Sequence, residues 1–205
     1  MYFSPTQSSK KLTETVTEEI AGKEEISMNF VDLTNPATRN EAYFFEKEDI
    51  LVLGYPVYGG RVPGVLQEVF GRIKGDGTRA IVLAVYGNRD YEDALIEGRD
   101  LLTENGFSVI AAAAFIGEHS YSEKVATGRP DAADLRKATE FGSAAAEKIA
   151  DGKSEEPAIK GNRPYKDPMP DMPFAPKLTD ACTNCGICAD LCPMGDVYKR
   201  QAKTA

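Results

Sequence analysis

The sequence is poor in several things that would each announce a function. It has one histidine, His119, and no serine–histidine–acid set is readable around it. A lone loop histidine is more often a hydrogen-bonded structural residue than a proton carrier. It has no long apolar run: the longest, VIAAAAFIG from Val109 to Gly117, falls far short of the ~20 residues of a membrane helix. Its first residues, MYFSPTQSS, have neither a basic n-region nor an apolar h-region, so no secretion signal is expected and the reducing cytoplasm is the expected compartment. Positive charge is in deficit, with 24 Lys and Arg against 32 Asp and Glu and a net charge of -8. That balance argues against nucleic acid and anionic membranes and suits a protein that meets basic patches on a partner. The acidic stretches KEEI and FEKED read as a solvated face. There is no internal repeat.

The 205 residues are 42% hydrophobic, enough for one full core and a small appendage. From residue 1 to 151 strand and helix patterns alternate. Met1–Phe3 is a short apolar strand. Leu12, Val16 and Ile20 mark a helix with Gly22 as its stop. EISMNFVDL alternates Ile26, Met28 and Phe30, as an edge strand does, whereas DILVLGY and AIVLAVY (Ala80–Tyr86) are continuous apolar runs expected to be buried on both faces. Between them Pro63 opens a helix with Leu66, Val69, Phe70 and Ile73 on one side. YEDALIEGRDLLTENG is a helix ended by Asn105-Gly106, and SVIAAAAFIG is a fifth strand. Asp131 caps a last helix lined by Leu135, Ala138, Gly142, Ala145 and Ile149. The expected fold is α/β, a doubly wound five-stranded parallel sheet in the order 2-1-3-4-5, with a ligand crevice between its first and third strands.

Three loops fall at that crevice. FSPTQSSKK (Phe3–Lys11) crowds Ser4, Thr6, Ser8 and Ser9 into a turn before a helix, where free amides and the helix dipole favour an anion. It has neither the G-x-x-x-x-G-K-[ST] nor the G-x-G-x-x-G spacing, and the loop alone is equally a plain serine cap. GYPVYGGRVPG (Gly54–Gly64) carries Pro56, Val57, Tyr58, Gly59 and Gly60. VYGNRDYEDAL (Val85–Leu95) carries Tyr86, Gly87, Asn88 and Tyr91. Either loop alone would be surface tyrosine beside turn glycine. Together with the hydroxyl-rich loop they make a flavin site, with backbone close to a flat ring and tyrosines to stack on it.

SPTQSS resembles the phosphate loop of flavodoxins, T/S-x-T-G-x-T/S. Ser4, Thr6, Ser8 and Ser9 fall on its phosphate-contacting positions, and Gln7 stands where that family usually has glycine. A turn that needs positive φ would strain a glutamine. PVYGGRVP, YGNRDYEDAL and GEHSYSEKVATGRPDAADL (Gly117–Leu135) are similar to the flavodoxin–ferredoxin fusion proteins of the EFR type, over residues 2–195. The resemblance implies a flavodoxin-like FMN domain followed by a bacterial 4Fe-4S ferredoxin domain.

The remaining chemistry is at the far end. Residues 152–178 hold six of the twelve prolines and read as an extended linker. Cys182, Cys185, Cys188 and Cys192 then follow the spacing C-x2-C-x2-C-x3-C-P, the bacterial ferredoxin pattern rather than that of a zinc ribbon or a disulfide. In two-cluster ferredoxins the fourth cysteine of such a run serves the other cluster. Cys182, Cys185 and Cys188 would hold one 4Fe-4S cluster and Cys192 a second, and each ligand set is incomplete with one run. DVYKRQ (Asp196–Gln201) is the translation of a transposon sequencing adapter, so residues 196–205 are expected to be a non-native tail. The domain expectation is therefore 1–151 FMN-binding, 152–178 linker, 179–195 first half of a ferredoxin domain, then the tail. The expected function is electron transfer between FMN and 4Fe-4S clusters, with a ferredoxin- or reductase-type redox protein as partner. The alternative is an FMN-dependent NAD(P)H:acceptor reductase of the quinone type. A docking module without flavin, and a dimer exchanging Cys192, are further alternatives.

Overall fold

The computed structural model describes residues 1–153, 155–170 and 179–195. In chain order its elements are α1 (Ser8–Glu24), α2 (Pro36–Arg39), β1 (Tyr43–Phe45), β2 (Ile50–Pro56), a single 3-10 turn (Gly64–Leu66), α3 (Gln67–Arg72), β3 (Ile73–Gly75), β4 (Thr78–Tyr86), α4 (Ala94–Glu104), β5 (Phe107–Ile116), α5 (Ala132–Ala150) and α6 (Ile187–Asp190). The class is α/β with parallel strands: β2, β4 and β5 form one sheet in that order, and β1 pairs in parallel with β3.

The sheet is apolar on both faces because successive residues of its strands point to opposite sides. Leu51, Leu53, Tyr55, Ala80, Val82 and Ala84 face a layer made by Leu66, Val69 and Phe70 and by Leu95 and Leu102 of α4. Val52, Ile81, Leu83 and Val85 face Leu12, Val16 and Ile20 of α1 and Ala138, Ala145 and Ile149 of α5. Each fully buried Leu, Ile or Val contributes about 1.5–3 kcal/mol. One irregularity lets β5 serve both layers. Its register runs Ala80 to Val109 and then Ile81 to Ala111, so Ile110 is an inserted bulge residue. Val109 packs with the first layer and both Ile110 and Ala111 with the second. The Ile110 carbonyl accepts a hydrogen bond from Lys148 Nζ of α5 at 2.9 Å.

Five regular strands are not what the sheet contains. The first and second expected strands are single parallel bridges, from Tyr2 to Gly54 and from Tyr2 to Asp32. Residues 1–3 are too few to pair a full strand: on one side Met1 and Phe3 bond to Val52 and Gly54, and on the other Val31 and Leu33 bond to the Tyr2 amide and carbonyl. Further back, two of the three alternating side chains, Ile26 and Met28, are exposed. The helix expected from Pro63 through Ile73 is a 3-10 turn followed by α3, and Ile73 already belongs to β3. The last helix starts as its sequence suggests. Asp131 accepts from the amides of Ala133 and Asp134, and Asp134 accepts from the Asp131 amide, a complete capping box. Among the described residues no helix is long and apolar enough to cross a membrane.

A close helix–sheet approach is at Gly54. A Cβ added there would lie 1.8 Å from the Thr13 hydroxyl of α1. That hydroxyl is itself fixed by donating to the Ser9 carbonyl at 2.7 Å. Gly54→Ala is expected to destabilise the protein by about 1–3 kcal/mol through overpacking. Adding Thr13→Ala should recover part of the loss, as read by urea unfolding.

Candidate functional site

Parallel strands end on the same side, so the loops after Phe3, β2, β4 and β5 are neighbours. Backbone bonds tie them together. The Val57 amide donates to the Val85 carbonyl at 2.8 Å, Gly117 to Tyr86 at 2.9 Å, and Asp93 to Gly60 at 3.0 Å. The rings of Tyr86 and Tyr91 meet edge to face, 5.4 Å between centroids.

The hydroxyl-rich loop divides its groups between structure and cleft. Ser4 is buried; its hydroxyl accepts from the Lys10 amide at 2.9 Å, and its amide donates to the Thr34 hydroxyl at 2.8 Å. Ser9 is buried too. Thr6 and Gln7 are exposed and Ser8 half-buried. Gln7 is the N-cap of α1 with φ 67° and ψ -7° and makes no side-chain cap bond. The first turn of a helix leaves amides without an intrahelical acceptor. Those of Thr6, Ser8 and Ser9 have none among the described residues.

Beside Thr6 and Ser8 opens a cleft of about 480 Å³, lined on its other side by Glu118, His119, Tyr121 and Arg129 of the loop after β5. Arg129 makes a two-pronged ion pair with the buried Asp134. That bond, opposed by burial and aided by the Asp131 amide, holds the Asp134 carboxyl below the usual carboxylate range. His119 Nδ1 accepts from the Tyr121 amide at 3.1 Å, which fixes its ring. Tyr58 has its phenol pushed up by burial and then by the neighbouring Tyr121. Of the expected flavin-site residues, Thr6 and Ser8 line this cleft. Tyr58, Gly59, Gly60, Gly87, Asn88 and Tyr91 stand on the adjoining loops, not in its wall; Tyr86 ends β4, and Pro56 and Val57 lie at the root of the first loop.

Sequence reasoning missed the residues that hold those loops. Glu97, in α4, is buried and accepts four hydrogen bonds: from Arg61 Nε (2.8 Å) and Nη2 (2.7 Å), the Val62 amide (2.8 Å) and Gln67 Nε2 (2.9 Å). Asp93, four residues earlier, is also buried. Two acids at i and i+4 on the side of a helix that also buries Ala94 and Leu95 are the signal that could have found them.

The cysteines lie on the last described segment. Cys182, Cys185 and Cys188 are exposed, and none of the four is in a disulfide. The segment meets α2 through Arg39, which donates to the Pro193 carbonyl. Among the described residues no three His, Cys, Asp or Glu side chains are gathered to hold a metal ion. As placed, the cysteines do not fit a cluster. The expected tail at 196–205, and residues 171–178 of the expected linker, lie outside the described residues.

No family model matches the chain, and no curated protein matches it. Among solved structures it is similar to two-electron reduced Megasphaera elsdenii flavodoxin, at 18% identity over 72% of this chain and 99% of that one, TM-score 0.47. It is similar to the flavodoxin of Streptococcus pneumonia TIGR4, at 13% identity over 74% and 95%, TM-score 0.47. It is also similar to an NAD(P)H:quinone oxidoreductase from Methanothermobacter marburgensis, at 14% identity over 72% and 92%, TM-score 0.41. At TM-scores of this size the likeness carries no argument, and the site stands on its own geometry.

Glu97→Ala leaves Arg61 and the Val62 amide without their acceptor and is expected to cost about 3–5 kcal/mol, measured by chemical unfolding. A second outcome concerns acid. Free aspartate titrates near about 3.9, and pairing with Arg129 lowers Asp134 in the folded chain. Its contribution is therefore complete above that value and lost as pH falls through the depressed one. The melting temperature of the wild type should fall more steeply below about pH 4 than that of Asp134→Asn.

Proposed function

We propose that the chain is a flavodoxin-like, FMN-binding electron-transfer protein of the cytoplasm. The observation that carries this is a cleft at the carboxyl ends of parallel strands in which a hydroxyl-rich helix N-terminus, with Thr6 and Ser8, faces the loop after β5, while the tyrosine- and glycine-bearing loops after β2 and β4 adjoin that loop. The single bridges of Tyr2 to Gly54 and to Asp32, beside the order β2-β4-β5, support a 2-1-3-4-5 succession. In that succession α1 covers one face while α3 and α4 cover the other, and the crevice opens where the winding reverses.

The donors present fit a phosphate monoester: the Thr6 and Ser8 hydroxyls and the unfilled amides of the α1 first turn. Arg129 faces them across the cleft, its charge met by Asp134 and flanked by Glu118 and Glu123, so the hydroxyls and amides are the phosphate donors. Tyr58, Tyr86 and Tyr91, with the backbone at Gly59, Gly60, Gly87 and Asn88, would flank the ring and exclude water from it. FMN, when bound, supplies one- and two-electron transfer. The residues of the chain bind it, orient it and set the polarity around it. For 4Fe-4S ligation by Cys182, Cys185 and Cys188, with Cys192 serving a second cluster, the spacing alone speaks; the thiols as placed would first have to be drawn together. The partner is a redox protein of the ferredoxin or reductase type with a basic face to meet the net charge of -8.

The test is a titration of the purified chain with FMN, followed by quenching of flavin fluorescence. One-to-one binding is expected, weakened about tenfold or more by Thr6→Val with Ser8→Ala. Absence of binding overturns the reading. Steady oxidation of NAD(P)H by the loaded protein would transfer it to the reductases.

A further inference from the structure

Residues 155–170 form neither helix nor strand. Lys160, Asn162, Arg163, Tyr165 and Lys166 are nevertheless bonded to the loops after β2 and β4 and to α4. The centre of this contact is Asp93. It stands at the N-cap position of α4 and makes no cap bond there, although an aspartate cap is worth about 0.5–2 kcal/mol. Its carboxylate turns away from the helix and accepts from the Asn162 amide (2.8 Å), Asn162 Nδ2 (3.0 Å) and the Lys166 amide (2.7 Å). Asp93 is 1% exposed, and a buried carboxylate requires such donors. All three come from this one segment. At the same time the Asp93 amide holds the Gly60 carbonyl. One residue therefore joins the segment, the helix and the loop after β2.

The flanking contacts fall on the same places. Tyr165 donates its hydroxyl to Asp100 at 2.6 Å, and Arg163 Nε donates to the same carboxylate at 2.8 Å. Lys160 pairs with Asp90 at 3.0 Å and sits 5.1 Å from the Tyr91 ring centre. Lys166 pairs with Glu92. Arg61 donates to the Lys166 carbonyl and lies over the Tyr165 ring at 5.0 Å. Met169 covers Gly59, where an added Cβ would lie 2.4 Å from the methionine Cγ. None of residues 155–170 lines the cleft beside Thr6 and Ser8. The segment lies against the loops after β2 and β4 and against α4, outside that cleft.

From this geometry we infer that residues 159–169 are a built-in buttress of the flavin site, and that Asp93 is the positioning residue through which the buttress fixes the two ring-flanking loops. The inference rests on the flavin reading above. Its consequence is reciprocal: if the docked segment strengthens FMN binding, FMN strengthens docking by the same factor.

Two measurements on the full chain test it: FMN affinity, and the rate of tryptic cleavage after Lys160 and Lys166 with and without FMN. Asp93→Ala should weaken FMN about tenfold and speed cleavage. Asp93→Asn, which keeps a carbonyl acceptor, should lie between it and the wild type. Arg163→Ala with Tyr165→Phe loosens the latch on Asp100 from the solvent side, away from the core. It should shift both readouts in the same direction even where Asp93→Ala fails to fold. FMN should slow cleavage of the wild type. Wild-type FMN affinity in every folded variant, with cleavage indifferent to FMN, overturns the buttress and leaves the flavin site standing. A wild type that binds no FMN overturns both.

Discussion

A parallel sheet buried on both faces constrains everything else here. Its strands can be joined only by crossovers, so every strand delivers its outgoing loop to one end. Those loops are polar, and at β2 and β4 they leave a core of Leu, Val, Ile and Ala that offers them no partners. Something must hold them, and the start of α4 does so. Glu97 gathers Arg61, Val62 and Gln67 from one loop and its sequel. Asp93, one turn earlier, takes the Gly60 carbonyl on its amide and the distant chain on its carboxylate. Two buried acids with every oxygen occupied are costly to desolvate and specific in what they will accept, which suits them to fixing loops more than to adding net stability.

The same division of labour recurs at α1. Ser4 spends its hydroxyl as an acceptor for the Lys10 amide, the work of a helix cap done from four residues before the first helical position. Because Ser4 serves the helix, Thr6 and Ser8 are left facing the cleft. Four hydroxyls crowded into six residues therefore play different parts, decided by which are buried.

How much of this was legible in the sequence follows from how local each signal is. The α1 stripe of Leu12, Val16 and Ile20 and the Asp131 cap depend on residues within one or two turns, and both read correctly. The continuous apolar runs of β2 and β4 were equally clear. The alternation in EISMNFVDL misled, because alternation creates a strand only where a neighbour of matching length exists, and residues 1–3 bridge it at one point. Ile73 misled for a related reason: it continues the apolar stripe of α3 but pairs with Tyr43 in a second small sheet. The bonds from Asp93 span 69 and 73 positions. Proline-rich composition predicts an extended course for residues 155–170 and says nothing of what that course lies against.

Gln7 shows how a residue unsuited to its backbone can still be held there. At φ 67° a side chain with a Cβ costs of order 1–3 kcal/mol relative to a relaxed conformation, and glycine would avoid that cost. Glutamine brings something glycine cannot. Its backbone amide and its side-chain Nε2 both donate to the Ser4 carbonyl, each at 3.2 Å. The second of those bonds closes the turn from outside and offsets part of the strain. The carbonyl it secures belongs to the residue whose hydroxyl caps Lys10. The strain at Gln7 and the cap at Ser4 are thus two parts of one turn, and that turn sets the direction of the α1 amides that face the cleft.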